Sequence, residues 1–204
     1  MNEDGTMARL PDLIDYAKRL DLKIATIADL IAYRRKHDRI VEKKATTKLN
    51  SIYGGQFDMT VYTNSVEYAE HVALVKGDIT TDEPVLVRMH ALNVLDDVLG
   101  DNEAGKEKEL HNAMRHVAEV GRGVIVLLRE PQPSSLSERV QDHAKGQKPS
   151  GQLRDYGIGA QILLDLGIRE MVLLSNSERR NIVGLEGYGL SIVDQQPIPA
   201  LEKK

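Results

Sequence analysis

Val124-Ile125-Val126-Leu127-Leu128 is a run of five large aliphatic residues, and it decides the fold. A run of this kind is typical of a strand that is buried on both faces, as the strands of a parallel sheet are. It follows a segment, residues 106–120, in which apolar residues recur at helical spacing until Gly121 ends the pattern. A helix followed at once by a buried strand indicates an α/β fold.

Further strand and helix patterns extend this unit in both directions along the chain. They predict strands at 57–63, 71–76, 84–89, 171–174 and 190–193, and helices at 158–166 and 178–186. Gly77-Asp78 supplies the turn between two of these strands. The alternation of helix and strand predicts a single α/β sheet.

Two stretches differ in character from this core. In the N-terminal tail, apolar residues recur at helical spacing over 13–20 and over 27–31, with a short strand predicted at 22–25. The polar segment 41–48 predicts a linker. The second stretch, 131–150, is rich in Pro, Ser and polar residues and predicts a mobile loop.

The composition excludes several classes of protein. The 204 residues carry a net charge of −4, so no basic field is available to hold nucleic acid or an anionic membrane. No apolar run approaches the roughly 20 residues that span a bilayer. The absence of cysteine excludes disulfides and thiolate zinc ligands, and it fits a reducing compartment. The chain begins with a polar, acidic segment and not with a signal peptide, so we expect a cytoplasmic protein.

Six motifs in this sequence resemble GTP cyclohydrolase II. They are, in chain order, HVALVKGDI at 71–79, PVLVRMH at 84–90, GRGV at 121–124, LRDYGIGAQIL at 153–163, LLSN at 173–176 and GLEGYGLSIV at 184–193. Separate motifs in the order of the family are a far more specific signal than one short motif. The resemblance implies a mixed sheet flanked by helices over residues 47–204, and a homodimer.

The first residues resemble a different protein. NEDGTMARLPDL at 2–13 and IATIADLIAYRR at 24–35 are similar to the C-terminal end of dihydroxybutanone phosphate synthase. The two enzymes begin the two converging branches of riboflavin biosynthesis and are often fused in this order. We therefore expect residues 1–46 to be a helical synthase tail plus linker, in a piece of a longer protein, with a fused or associated synthase domain as partner. Synthase activity is not expected from residues 1–46 alone.

The resemblance also implies a reaction and a metal. Family members hydrolyse GTP with release of formate and pyrophosphate, and ring opening uses a zinc ion held by three cysteines. The family signature reads His-Ser-Glu-Cys-Leu-Thr-Gly-Asp and then Cys-Asp-Cys, whereas this sequence reads HALNVLDD at 90–97 and AGK at 104–106. The cysteine positions therefore hold Asn93, Ala104 and Lys106. Asn93 is a poor zinc ligand, Ala104 offers no ligand atom, and the positive charge of Lys106 repels a metal ion. We therefore predict that no zinc binds.

Replacement ligands are the alternative. His90, Asp96, Asp97, His111 and His116 lie nearby in the sequence. His111 and His116 are five residues apart, so on one helix they project in different directions. The simpler interpretation is that of surface histidines on a helix beside a solvated acidic turn, with a substitute zinc site left open.

The resemblance assigns candidate site residues. Arg154 stands at the position of the family's nucleophilic arginine, whereas the family's proton-accepting Asp is Gln152 here, and an amide is no general base. The candidates for binding a phosphate or nucleotide are Arg88, His90, Arg129, Ser175 and Arg180. Each also has a structural interpretation, as a strand end, a helix cap or a solvated helix face. Four arginines at family anion positions nevertheless favour weak affinity for a phosphate.

These observations lead to one predicted function and one alternative. We predict a riboflavin-biosynthesis protein whose GTP cyclohydrolase II-like domain is non-catalytic and supports or regulates a fused synthase. The alternative is an active GTP cyclohydrolase II with an altered metal or substrate. A nucleic-acid-binding module is disfavoured by the net charge of −4 and by an aromatic content of 4%.

Overall fold

A computed structural model describes most of the chain. The described residues are 5–25, 29, 33, 38, 40–65, 69–103, 105–130, 132–146, 154–177 and 188–200, without the side chains of 154–156. The contacts between Cα atoms divide the chain into two units, Met1–Asp38 and Arg39–Lys204. No helix in the described ranges is both long and apolar enough to cross a membrane.

The first unit contains helix α1 (Leu10–Arg19). The carboxylate of Asp12 in its first turn accepts a hydrogen bond from the backbone N–H of Arg9 at 2.8 Å, which fixes the start of the helix. The chain leaves α1 through Asp21 in a left-handed conformation, and Leu22 N–H bonds back to the Ala17 carbonyl. The predicted helical tail is thus present. The strand predicted at 22–25 is wrong because this segment closes the helix, and the helix predicted at 27–31 lies outside the described residues, except Asp29.

The described residues of the second unit form one sheet of seven strands. Their bounds are β1 Val41–Ser51, β2 Gly55–Asn64, β3 Glu70–Lys76, β4 Val85–Ala91, β5 Gly123–Leu128, β6 Glu170–Leu174 and β7 Ser191–Gln196. In the described part of this unit, three helices accompany the sheet: α2 Glu109–Val120, α3 Ser135–Ala144 and α4 Arg154–Asp165. One turn of π-helix covers Val94–Val98. The α/β class and the mixed sheet flanked by helices are confirmed.

The order of strands in the sheet is β1-β2-β3-β5-β4-β6-β7. Strands β1, β2, β3 and β5 pair antiparallel in that order. Strands β5, β4, β6 and β7 pair parallel. The carboxyl ends of β4, β5 and β6 therefore lie at one edge of the sheet, which is where α/β proteins place their functional groups.

Each face of the sheet packs on a different helix. Val124, Val126 and Leu128 of β5 belong to a buried cluster with α4 residues that include Ile162 and Leu163. Ile125 of β5 points to the opposite face and joins a cluster with α2 residues, which are Leu110, Ala113, Met114 and Val117. The alternation of side chains along a strand thus supplies both cores from one continuous apolar run.

Two loop predictions were wrong. The segment 41–48, predicted as a linker, forms most of β1, whose side chains are almost all exposed and whose backbone pairs with β2. The segment 131–150, predicted as a mobile loop, contains α3, a helix with no buried residue. The predicted helix at 178–186 lies outside the described residues.

Candidate functional site

Arg88 and His90 lie near the carboxyl end of β4, at the edge where β5 and β6 also end. Side chains two apart along a strand share a face, and Leu86 of the same strand belongs to the cluster packed on α2. Both candidate residues therefore face the N-terminal end of α2. This is the part of the fold in which the resemblance places the zinc ion and the nucleotide.

Arg88 is engaged by internal partners. Its Nη2 donates to Oε2 of Glu109, the first residue of α2, at 2.7 Å, and its Nη1 donates to the carbonyl of Leu174 at 3.1 Å. The two side chains of this ion pair are only 12% and 15% exposed. A charge-assisted hydrogen bond so shielded from water is among the stronger polar contacts in a protein.

His90 is buried and fixed by the carboxylate of Asp97. Its Nε2 lies 2.9 Å from both carboxylate oxygens, and Asp97 Oδ2 also accepts the backbone N–H of Asn93 at 2.8 Å. Burial opposes ionisation of Asp97, but the hydrogen bonds from His90 and from the Asn93 N–H outweigh it, so the pKa of this carboxyl is lowered. A carboxylate at Nε2 requires the proton there, which leaves Nδ1 to accept from Arg88 Nη2 at 3.3 Å.

Glu109 is held from a second side. Its Oε1 accepts from Nδ2 of Asn176 at 3.2 Å, and Oδ1 of Asn176 accepts the backbone N–H of Ile198 at 2.9 Å. One continuous chain of polar contacts thus runs Asp97–His90–Arg88–Glu109–Asn176, which we call the polar chain. It ties β4, the π-helical turn, α2 and the segment after β6 together.

Ser175 lies next to this chain, directly after β6. Its hydroxyl oxygen accepts the backbone N–H of Ser177 at 3.2 Å, and its own N–H donates to the Gln196 carbonyl at 2.9 Å. These contacts are those of a residue that forms a turn at the end of a strand.

Arg129 directly follows β5 and is exposed. Its backbone N–H donates to Nδ1 of His71 at 3.2 Å. His71 is 2% exposed, and burial, with a smaller effect of the Arg129 charge, lowers the pKa of this imidazole from 6.5 to about 4. His71 was not among the sequence candidates, although it is the polar residue that opens the apolar run 71–75.

Two candidates cannot be placed. Arg154 begins the backbone of α4, but its side chain lies outside the described part of the structure, and Arg180 lies outside it entirely. The structure therefore places Arg88, His90, Arg129 and Ser175 at one edge of the sheet.

The positions of the family's cysteines hold residues with structural contacts. Oδ1 of Asn93 accepts the backbone N–H of Leu95 at 3.1 Å, and the carbonyl of Lys106 accepts the Glu109 N–H at 3.0 Å. Ala104 lies outside the described residues. Within the described ranges, no three His, Asp or Glu side chains are grouped so that they could hold a metal ion.

His111 of α2 is a further imidazole close enough to Asp97 and His90 to interact with them electrostatically. Its ring stacks on that of Tyr53, with centroids 3.8 Å apart and planes 9° from parallel. Burial lowers the pKa of His111, partly opposed by the charge of Asp97. The stack occupies one face of the ring and anchors α2 to the β1–β2 turn.

A comparison with known proteins identifies the family of the chain. The family model described as GTP cyclohydrolase II matches residues 42–197. The chain belongs to the GTP cyclohydrolase II family.

Relatives extend the match over the first residues as well. The chain is 43% identical over 218 aligned positions to the "Riboflavin biosynthesis protein RibBA" of Bacillus cereus, covering 100% of this chain and 54% of that protein. It is 44% identical over 211 positions to the protein of the same name from Bacillus cytotoxicus, covering 97% and 53%. The chain thus spans about half the length of these curated relatives.

A solved structure is also similar to this chain over about half of its own length. RibBX from A. baumannii, described as a two-domain 3,4-dihydroxy-2-butanone 4-phosphate synthase, is 31% identical with a TM-score of 0.54. The similarity covers 98% of this chain and 52% of that one.

Proposed function

We propose that this chain contributes a non-catalytic GTP cyclohydrolase II-like domain to riboflavin biosynthesis. The observation that carries the proposal is the identity of the residues at the three cysteine positions, Asn93, Ala104 and Lys106. Ring opening of GTP needs a Lewis acid that generates hydroxide near neutral pH. An amide already engaged by Leu95 N–H, a methyl group and an ammonium do not form a zinc site.

The neighbouring groups do not supply a substitute. His90 and Asp97 satisfy one another, and Asp97 also holds the Asn93 N–H. His111 is stacked on Tyr53. Recruiting these side chains to a metal would break the contacts that shape the site. The general base is also replaced, since Gln152 stands at its position.

We propose a supporting or regulatory role beside a dihydroxybutanone phosphate synthase domain, fused or associated. The similarity to a two-domain protein described as such a synthase, over 52% of its length, supports this role. The apolar residues of α1 support it too, because Leu10, Leu13 and Tyr16 are each more than 40% exposed and would gain from a partner. The proposal includes a cytoplasmic location.

The proposal also includes a homodimer and at most weak binding of a phosphate or nucleotide. Light scattering after size exclusion tests the first point, since a dimer has twice the mass of the 22.7 kDa chain. A mass of one chain at micromolar concentration would contradict it.

Two measurements on the purified chain test the loss of catalysis. Metal analysis is expected to find far less than one zinc per chain, and incubation with GTP to release no formate. A family member that carries the three cysteines is the positive control for both assays. Stoichiometric zinc together with formate release would overturn the proposal.

The alternative function is an active hydrolase with an altered metal or substrate, for which retention of Arg154 is the specific observation. It requires turnover of a nucleotide that the substitution Arg154→Ala abolishes. Pyrophosphate release from GTP without formate would favour this alternative.

A further inference from the structure

Glu109 occupies the position next to Arg88 Nη2 that an oxygen of a bound phosphate could take. Its Oε2 is 2.7 Å from Arg88 Nη2, the contact that a phosphate oxygen would otherwise make. The carboxylate thus already neutralises the guanidinium from the side of α2.

This carboxylate is not free to move away. Its other oxygen accepts from Asn176 Nδ2 at 3.2 Å, and Asn176 is itself fixed by the Ile198 N–H. Glu109 is also the first residue of α2, and a helix N-terminus stabilises a negative charge. The side chain is only 15% exposed, so water screens its charge weakly.

Arg88 is equally constrained. Its Nη1 is bonded to the Leu174 carbonyl, and its Nη2 contacts both Glu109 and His90. The guanidinium cannot turn towards an incoming anion without breaking these contacts. An anion would therefore meet a fixed negative charge beside an arginine that is already paired.

We propose that Glu109 is a specificity-determining residue that excludes phosphate and pyrophosphate anions from the edge of the sheet at Arg88. The inference rests on the proposed function and explains the weak anion binding that it includes. Replacing this one carboxylate by a neutral group turns the position into a pyrophosphate-binding site. Arg88 is then the residue that holds the anion.

The test compares pyrophosphate binding by calorimetry in the wild-type chain and in Glu109→Gln. Glutamine keeps the size of the side chain but removes its charge, and a neutral amide oxygen holds Arg88 Nη2 much more weakly than the carboxylate does, so this donor becomes available to an anion. We expect the Kd for pyrophosphate to fall at least tenfold. The matched control is Glu119→Gln, which removes the same charge at the exposed far end of α2 and should leave the Kd unchanged.

The double variant Arg88→Ala/Glu109→Gln locates the site, because it should lose the gain in affinity. Equal binding by wild type and Glu109→Gln, or a gain that survives the loss of Arg88, would overturn the inference. If Glu109→Gln does not fold, as judged by circular dichroism, Glu109→Asn removes the same charge with a shorter side chain. The formate and zinc assays on the wild-type chain are independent of these results, so failure of the two proposals is distinguishable.

Discussion

The backbone N–H of Arg129 donates to Nδ1 of His71 at 3.2 Å, so β3 and β5 are joined at their ends by a buried imidazole. Because Nδ1 accepts this bond, the neutral ring carries its proton on Nε2. Nε2 is buried, and none of the described residues forms a hydrogen bond with it. The imidazole can gain a second proton only at the cost of burying a charge and losing the Arg129 bond.

Stability is therefore expected to fall as the pH drops below neutral. The pKa of His71 is about 4 in the folded chain and about 6.5 in the unfolded one, so between these values only the unfolded state binds the proton. The loss amounts to roughly 3 kcal/mol by pH 4. Urea unfolding measured from pH 7.5 to 4.5 should show this slope, and His71→Asn, which keeps an acceptor for Arg129, should flatten it. An unchanged slope in the variant would assign the pH dependence to other groups.

Removal of the Asp97 carboxylate is expected to destabilise the second unit strongly. Asp97→Ala leaves the buried Nε2–H of His90 and the N–H of Asn93 without their acceptor, at a cost of about 3 kcal/mol. The neighbouring Asp96 is partly exposed, so Asp96→Ala is the control and should change stability by less than about 0.5 kcal/mol. Equal free energies of unfolding for the two variants would show that the polar chain contributes little to stability.

Gly77 and Gly121 both have left-handed backbone conformations, but only Gly77 lies against another stretch of backbone. We therefore expect substitution by alanine to be more destabilising at Gly77. A Cβ at Gly77 would lie 2.2 Å from the carbonyl oxygen of Gly121, whereas a Cβ at Gly121 would meet nothing within 4 Å. We expect Gly121→Ala to cost about 1 kcal/mol, the penalty of a positive φ, and Gly77→Ala at least about 3 kcal/mol. Thermal unfolding of the two variants measures the difference, and a smaller loss for Gly77→Ala would refute the steric argument.

The hydroxyl of Tyr62 is expected to contribute modestly to the stability of the second unit. This fully buried side chain donates to Oδ2 of Asp165 at 2.9 Å, and the same oxygen contacts Lys43 Nζ at 3.0 Å. In Tyr62→Phe the carboxylate of Asp165 still has Lys43 as a partner. The free energy of unfolding, measured with urea, should therefore fall by only about 1 kcal/mol. Tyr53→Phe, which preserves the ring stacked on His111, is the control and should be neutral. A loss of several kcal/mol in Tyr62→Phe would mean that Lys43 does not replace the lost partner.

The strands in the centre of the sheet could be predicted because burial on both faces leaves a continuous apolar run. β1 could not, since its side chains are exposed on both faces and its strand conformation comes from pairing with β2. α3 was missed for a similar reason: no residue of it is buried, and Leu136 and Val140 are each 47% exposed. The pattern of apolar residues along a sequence indicates which side chains are buried. β1 and α3 have almost no buried side chains, so they leave no such pattern.

The candidate site also contains features that the sequence could predict and features that it could not. Arg88 and His90 could be placed at the end of β4 from the motif alone. Glu109 could not be named as the partner of Arg88, because the two meet only when the start of α2 packs beside β4. Asp97 was considered as a possible metal ligand, whereas in the folded chain it holds His90. The roles of these side chains depend on tertiary contacts that no short motif contains.

The mixed strand order has a consequence for how the chain is expected to fold. β1, β2 and β3 are neighbours in the chain and in the sheet, so their hairpins close short loops at small entropic cost. Val85 of β4 pairs with Met171 of β6, and that contact must wait until a long intervening segment has been brought together. We therefore expect the hairpins of β1, β2 and β3 to form earlier than the parallel pairing of β4 with β6, next to which Arg88 and His90 lie.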